Sequence, residues 1–230
     1  MQEKIVKMFD EIAESYDLVN RIISLGSDKI WREKAIKEAL KFSFENPSIL
    51  DVACGTGDMI EVWNKYSNKI VGLDASEKML EIAKKRFPHI KFYQGLAQNL
   101  PFEKESFDIV SISFGIRNVV EIDKAIEEFA RVLKRDGILL ILEFTKPDKK
   151  SFLRNCIDLY SKKILPKIAG AISGKKEAYE YLPNSIENFY TLNELCQKLN
   201  KNFTILKAKN FKLSPTSMII AKRSTRKQIF

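Results

Sequence analysis

A chain of 230 residues that is 45% hydrophobic and 30% charged can bury a real core, which excludes a disordered or fibrous protein and suits one large domain. Its net charge of +9 fits an anionic partner such as a membrane surface, a nucleic acid or an acidic substrate, although a solvated lysine-rich face is the commoner meaning. One histidine and three cysteines without a Cys-x-x-Cys pair exclude a histidine-rich metal site and a disulfide framework, and suit a reducing compartment.

In chain order, Gln2 to Ala13 reads as a helix with Ile5, Met8, Phe9 and Ile12 on one stripe. A short polar-aromatic passage with Tyr16, Asp17 and Asn20 follows. Ser24-Leu25-Gly26-Ser27 breaks the helix, and Asp28 opens the next one with Trp31 in its first turn. By composition alone, this helical pair covers an edge of a sheet. From Ser48 onward strands and helices alternate. Strands are expected at 48–53, 69–74, 90–94, 107–114 and 137–144, with helices near 58–66, 76–87 and 121–134. His89 falls at the start of a strand and reads as structural. Residues 151–172 place Leu153, Ile157, Tyr160, Ile164 and Ile168 at helical spacing, with Arg154, Lys162, Lys163 and Lys167 between them. A helix over 191–199 and strands at about 203–209 and 216–222 complete the pattern, and the basic tail RSTRKQIF reads as frayed. The alternation predicts an α/β protein: a seven-stranded, mostly parallel sheet with helices on both faces, an N-terminal helical cap and a helical insertion before the last two strands. The expected partition is one domain over 1–230, with a cap at 1–45, a core at 46–147, an insertion at 148–190, closing elements at 191–222 and a tail at 223–230.

The chemistry sits in ILDVACGTGD, Ile49 to Asp58. A short apolar strand runs into Gly55 and Gly57, which let the backbone turn tightly and approach a ligand. Asp58 stands where a helix N-cap belongs. The second strand ends on Asp74, placed to accept hydrogen bonds from a ribose diol. A dinucleotide site would need a third glycine in the helix, where this chain has Asp-Met-Ile after Gly57. Asp58 also puts negative charge where a pyrophosphate would lie. The pattern therefore points to a nucleoside without phosphates.

The block resembles motif I of the class I S-adenosylmethionine-dependent methyltransferases, with Ala53 where many members have a first glycine. YDLVNRIISLGSDKIW, SFGIRNV and RVLKRDGILLILEFTKP, with YSKKILPKIAG and YEYLPNSI further on, resemble the signatures of the ubiquinone/menaquinone biosynthesis C-methyltransferases over nearly the whole chain. Four positions depart from that family. Asp28 stands for its usual His, Arg135-Asp136 for Pro-Gly, Thr145 for Ser, and Leu96 for an Asn or Asp that would meet the adenine.

The resemblance implies a Rossmann-like fold and transfer of a methyl group from S-adenosylmethionine to a ring carbon of a polyprenylated quinol, most simply demethylmenaquinol or the corresponding ubiquinone-pathway benzoquinol. Another small aromatic or lipid acceptor is the alternative. It implies cofactor contacts at Asp51, Gly55, Thr56, Gly57, Asp74, Ala75, Leu96, Ala97 and Ser113. Arg117 and Asn118 follow the fourth strand and can offer donors to a developing phenolate. Tyr16 and Asp17 join them as catalytic candidates, with a water, Asp17 or Glu143 able to take the proton. Asn20, Trp31, Glu143 and Tyr179 are acceptor-pocket candidates, with Tyr181 beside them. A surface ion pair with Glu121 or Asp123 is the competing reading of Arg117. The sulfonium methyl is already activated, so no metal is expected. Partners expected are the polyprenyl quinol, a transient membrane surface met by residues 151–172, and a second copy of the chain. No nucleic acid is expected, because SFGIRN stands where an amino-methylating nucleic-acid enzyme carries an NPPY-like loop. No apolar run reaches the roughly 18 residues of a membrane span and no signal-peptide pattern opens the chain, so the expectation is cytoplasmic, peripheral at the inner face of the membrane.

Overall fold

The computed structural model describes residues 1–43, 45–146, 176–211 and 214–224. Two helices lead, α1 (Gln2–Ile23) and α2 (Ser27–Leu40). Next come β1 (Ile49–Val52), α3 (Asp58–Trp63), β2 (Ile70–Asp74), α4 (Glu77–Arg86), β3 (Lys91–Gln94) and β4 (Phe107–Ser113). A 3₁₀ turn at Ile116–Asn118 leads to α5 (Ile122–Val132) and β5 (Leu133–Phe144). The chain closes with α6 (Lys176–Glu187), α7 (Leu192–Leu199), β6 (Phe203–Asn210) and β7 (Thr216–Arg223).

The seven strands lie in the order β3-β2-β1-β4-β5-β7-β6. Strands β1 to β5 pair in parallel, and β7 runs antiparallel between β5 and β6. Every residue of β1 is buried, as a parallel strand covered on both faces requires. One face packs Ile36 of α2, Met59 and Trp63 of α3 and Leu80 of α4. The other packs Phe129 of α5 and Leu195 of α7. The direction of chain progression reverses between β1 and β4, and ligands in such sheets bind at the carboxyl ends of the strands beside that reversal.

Three boundaries differ from the sequence expectations. Helix α1 does not end at Ala13 but continues through Tyr16, Asp17 and Asn20 to Ile23. That passage holds no breaker, and Ile12, Ala13 and Val19 pack with Phe9, Tyr16 and Met79 in a small core of their own. Strand β5 starts at Leu133, opposite Phe107, and resumes pairing at Ile138 after an irregularity. Asp136 takes φ 62 there, a left-handed conformation that Asp tolerates better than most residues. Asp58 is the first helical residue of α3, not its cap; Gly57 holds the cap position with φ 96.

Residues 147–175, including the 151–172 segment with Lys162, Lys163 and Lys167, lie outside the described residues, as do the side chain of Tyr179 and the tail beyond Ser224. No helix among the described residues is long and apolar enough to cross a membrane.

A Cβ added to Gly57 would lie 2.6 Å from the Phe87 ring, whereas one added to Gly55 (φ 55) would meet open space. Gly57→Ala therefore combines backbone strain with a displaced ring and should lower stability by about 2 kcal/mol, against about 1 kcal/mol for Gly55→Ala. Urea unfolding of both variants checks this, and equal losses would contradict the packing argument.

Candidate active site

The carboxyl ends of β1, β2 and β4 open into a cavity of about 90 Å³. Its floor is Val52, Ala53, Gly55, Asp74, Ala75 and Ser113, Leu96 and Ala97 form one end, and α1 roofs it with Ile5, Phe9 and Tyr16. The first loop is tightly wound. Ala53 sits at φ 51, a left-handed position that glycine holds with less strain.

Asp74 is the best-defined polar group facing this space. Its Oδ2 accepts the Gly55 N–H at 2.8 Å and its Oδ1 accepts the Ser76 N–H at 2.8 Å. Burial pushes its carboxyl upward, while these backbone donors pull it back. A carboxylate offers about four lone-pair sites, so acceptor capacity remains for a ribose hydroxyl. The polar floor and apolar end fit a nucleoside.

Of the sequence candidates, Gly55, Asp74, Ala75, Leu96, Ala97, Ser113, Tyr16 and Asn118 line this cavity. Asp51, Thr56, Gly57 and Asp17 are not among its lining residues. Asp51 is buried in β1, where its Oδ1 accepts the Ser111 hydroxyl at 2.6 Å, and Trp63 Nε1 donates to the same serine at 3.0 Å. Asp17 accepts the Thr56 hydroxyl at 2.6 Å and Arg86 Nη1 at 3.1 Å. Arg86 also bridges Asp58 at 2.9 Å and Glu61 at 3.0 Å. Asp17 therefore ties the roof helix to the glycine loop. A second tie, from the Ser76 hydroxyl to Asp10 at 2.5 Å, fixes α1 to the turn after β2. Sequence reasoning missed Arg86 and Asp10, although two acids seven residues apart fall on one helix face. Asn20 bonds to Tyr16. Trp31 packs among Phe114, Phe144 and Phe211, at the carboxyl ends of β4 and β5 but in neither cavity.

A second cavity of about 590 Å³ adjoins the first, with Ile5, Asn118 and Val119 lining both. Arg117 and Tyr181 line it together with Glu121, Asp123, Lys124 and Asn188, and Val120, Ile122 and Phe189 add apolar wall. Arg117 is held tightly. Its Nη1 meets Glu143 Oε1 at 2.5 Å and donates to the Phe114 carbonyl at 2.8 Å, and its Nε reaches Ser185 Oγ at 3.3 Å. The side chains of Arg117 and Glu143 are 6% and 1% exposed. The ion pair is thus buried and made with Glu143, and the surface pair with Glu121 or Asp123 is not formed. Burial pushes the Glu143 carboxyl up and Arg117 draws it down. Tyr181 donates to Asn118 Oδ1 at 3.0 Å.

A Rossmann-like sheet with a glycine turn and a ribose-ready acid is the cofactor-binding architecture of the class I S-adenosylmethionine-dependent methyltransferases. Solved structures share this fold. An S-adenosylmethionine-dependent methyltransferase from Thermotoga maritima, described as a possible histamine N-methyltransferase, superposes with a TM-score of 0.67 at 20% identity, over 96% of this chain and 100% of its own. The [4+2]-cyclase SpnF does so with a TM-score of 0.62 at 17% identity, over 86% of this chain and 81% of its own, so the fold alone does not set the reaction. Closer relatives do more. A ubiquinone/menaquinone biosynthesis C-methyltransferase UbiE from Campylobacter jejuni (strain 81-176) is 51% identical over 231 aligned residues, covering 96% of this chain and 98% of that one. A demethylmenaquinone methyltransferase from Chlorobaculum tepidum is 40% identical over 222, covering 95% and 91%. The model of the ubiE/COQ5 methyltransferase family matches residues 1–221, and the chain belongs to that family. It is a methyltransferase, and its cofactor is S-adenosylmethionine.

Asp51 gives the loop a pH signature. Burial pushes its carboxyl to about 7, with the Ser111 hydroxyl and Arg32 opposing the rise. A raised folded value means that the group's stability contribution is full below pH ~4 and is lost as pH rises towards ~7. Asp51→Asn keeps an acceptor for Ser111 without that loss. It should gain roughly 2 kcal/mol on the unmodified chain between pH 5 and pH 8. Denaturant midpoints at the two pH values check this, and parallel shifts would show that Asp51 is ionised throughout.

Proposed function

We propose that the chain transfers the methyl group of S-adenosylmethionine to a ring carbon of a polyprenylated quinol, with demethylmenaquinol the foremost acceptor and the ubiquinone-pathway benzoquinol a second. The observation that carries this reading is Arg117, a buried cation lining a large cavity that shares Ile5, Asn118 and Val119 with the nucleoside cavity. The names of the relatives supply the acceptor class.

The cofactor would be held by Asp74 at its ribose hydroxyls, by Leu96 and Ala97 at its adenine, and by Gly55 and Ser113 along the remainder. When bound, it supplies a methyl group already activated by a sulfonium. Helix α1 covers this space with Ile5, Phe9 and Tyr16. An aromatic carbon is a poor nucleophile until its ring hydroxyl ionises and charge spreads to the ortho position. The Arg117 guanidinium stabilises that phenolate by hydrogen bonding and charge. Asn118 adds an amide donor. Asp17 is turned to Thr56 and Arg86 and Glu143 is engaged by Arg117, so the proton leaves most simply to water. Tyr16 and Asn118 line the nucleoside cavity and shield the methyl group from solvent.

An isoprenoid tail prefers lipid to water, so the acceptor is met at a membrane surface, and the net charge of +9 supports contact with anionic lipid. Co-flotation with anionic vesicles that fades as salt is raised would support this. Flotation unaffected by salt would remove charge from the account.

The reaction itself is tested with labelled S-adenosylmethionine and demethylmenaquinol in detergent, the product being identified by mass spectrometry. The reduced acceptor should gain a methyl on a ring carbon, and the oxidised quinone, which has no hydroxyl to ionise, should gain none. Equal labelling of both forms, or methylation at oxygen, would contradict the phenolate mechanism. No labelling of either quinol would transfer the reading to another aromatic or lipid acceptor.

A further inference from the structure

Arg32, on α2, is 6% exposed, yet among the described residues its nearest carboxylate is Asp58, whose Oδ2 lies 4.0 Å from Nη2. The other two arginines near the site are matched closely, Arg117 by Glu143 at 2.5 Å and Arg86 by Asp58 at 2.9 Å. Arg32 Nε is buried without a hydrogen-bond partner, and the guanidinium lies 5.0 Å from the centre of the Phe114 ring. Among the described residues its one hydrogen bond is Nη1 to Ser113 Oγ at 2.9 Å. Burying a cation is costly unless charge or hydrogen bonding compensates it. The arrangement therefore leaves positive potential beneath Ser113.

Ser113 itself lines the nucleoside cavity. Because its oxygen accepts from Arg32 Nη1, the serine's own O–H is left for another partner, and the cavity that Ser113 lines can hold one. The strand order fixes which part of the cofactor meets it. Leu96 and Ala97 follow β3 and Asp74 ends β2, whereas Ser113 ends β4 beyond β1. A nucleoside with its adenine at Leu96 and its ribose at Asp74 sends its amino-acid arm across β1 towards Ser113. The strongest acceptor on that arm is the α-carboxylate.

Resting on the cofactor placement proposed above, we infer that Arg32 is a positioning residue for the cofactor, acting through Ser113 to present a donor and a positive field to the carboxylate of the methionine arm. The relay discriminates between ligands that carry this arm and ligands that lack it.

S-adenosylhomocysteine carries the arm and 5′-methylthioadenosine lacks it, so calorimetric titration with each separates positioning from mere support of the fold. Arg32→Met and Ser113→Ala should each weaken S-adenosylhomocysteine roughly tenfold or more, the size expected for losing a hydrogen bond made with charge assistance. Each should leave 5′-methylthioadenosine within about twofold, and Arg32→Lys should restore part of the loss. Equal weakening of both ligands, or of neither, would overturn the inference. Selective weakening by Arg32→Met but not by Ser113→Ala would overturn the relay. If Arg32→Met fails to fold, Ser113→Ala decides alone, since it leaves the guanidinium in place. Failure of the unmodified chain to bind either ligand would instead overturn the cofactor placement.

Discussion

The pairing of Arg117 with Glu143 is the constraint on which the acceptor side of this protein depends. Glu143 lies near the end of β5 and Arg117 in the 3₁₀ turn after β4, so the pair bridges two neighbouring strand ends. It closes in several ways at once. The carboxylate takes the Arg117 side chain, its backbone N–H at 3.2 Å and the Phe144 N–H at 2.7 Å, while the guanidinium also holds the Phe114 carbonyl and Ser185 of α6. Desolvating two charges is expensive, and a buried pair survives only when its remaining donors and acceptors are also satisfied. The network meets that condition at both carboxylate oxygens and at Nε and Nη1 of the guanidinium. Its return is a cation held rigidly at the wall of a cavity, which a solvated arginine could not be.

A different kind of constraint governs the cofactor side. There α1 lies over the strand ends and is held by Asp10 to Ser76 and by Asp17 to Thr56 and Arg86. The roof is thus fastened to the two turns, after β1 and after β2, that would touch a nucleoside. Closing the site and shaping the glycine loop are one event in this structure, because Thr56 is shared between them. Asp58 supports the fastening indirectly, since it shares Arg86 with Asp17.

Much of the fold was legible because it is local. The run ILDV, the apolar strand at 107–114 and the helices at 76–87 and 121–134 announce themselves by periodicity, and alternation then dictates the parallel sheet. The α1 boundary was not legible, since Tyr16, Asp17 and Asn20 look like a break until their tertiary partners are seen. Asp58 was misplaced by one step because a left-handed glycine can cap a helix without a side-chain acceptor. On the site, Gly55, Asp74, Leu96, Ala97 and Ser113 belong to strand ends, and strand ends are predictable. Arg117 was recognisable by its place after β4. Its partner was not, because Glu143 lies 26 residues away and only the register of β4 and β5 brings them together. Arg32 and Arg86 were invisible for the same reason: each acts through contacts set by packing, not by spacing.

The most direct test of this account compares Arg117→Met, Glu143→Met and the double variant for both stability and turnover. Each single change strands a buried charge and should lower stability by about 3 kcal/mol, while the double change removes both charges and should recover most of that loss. Turnover with the reduced quinol should fall about a hundredfold in all three, because the donor to the phenolate is absent or misplaced. A double variant that regains stability but not activity is the result predicted. A double variant that regains both would show that the pair serves only the fold, and would contradict the assignment of Arg117 to the chemistry.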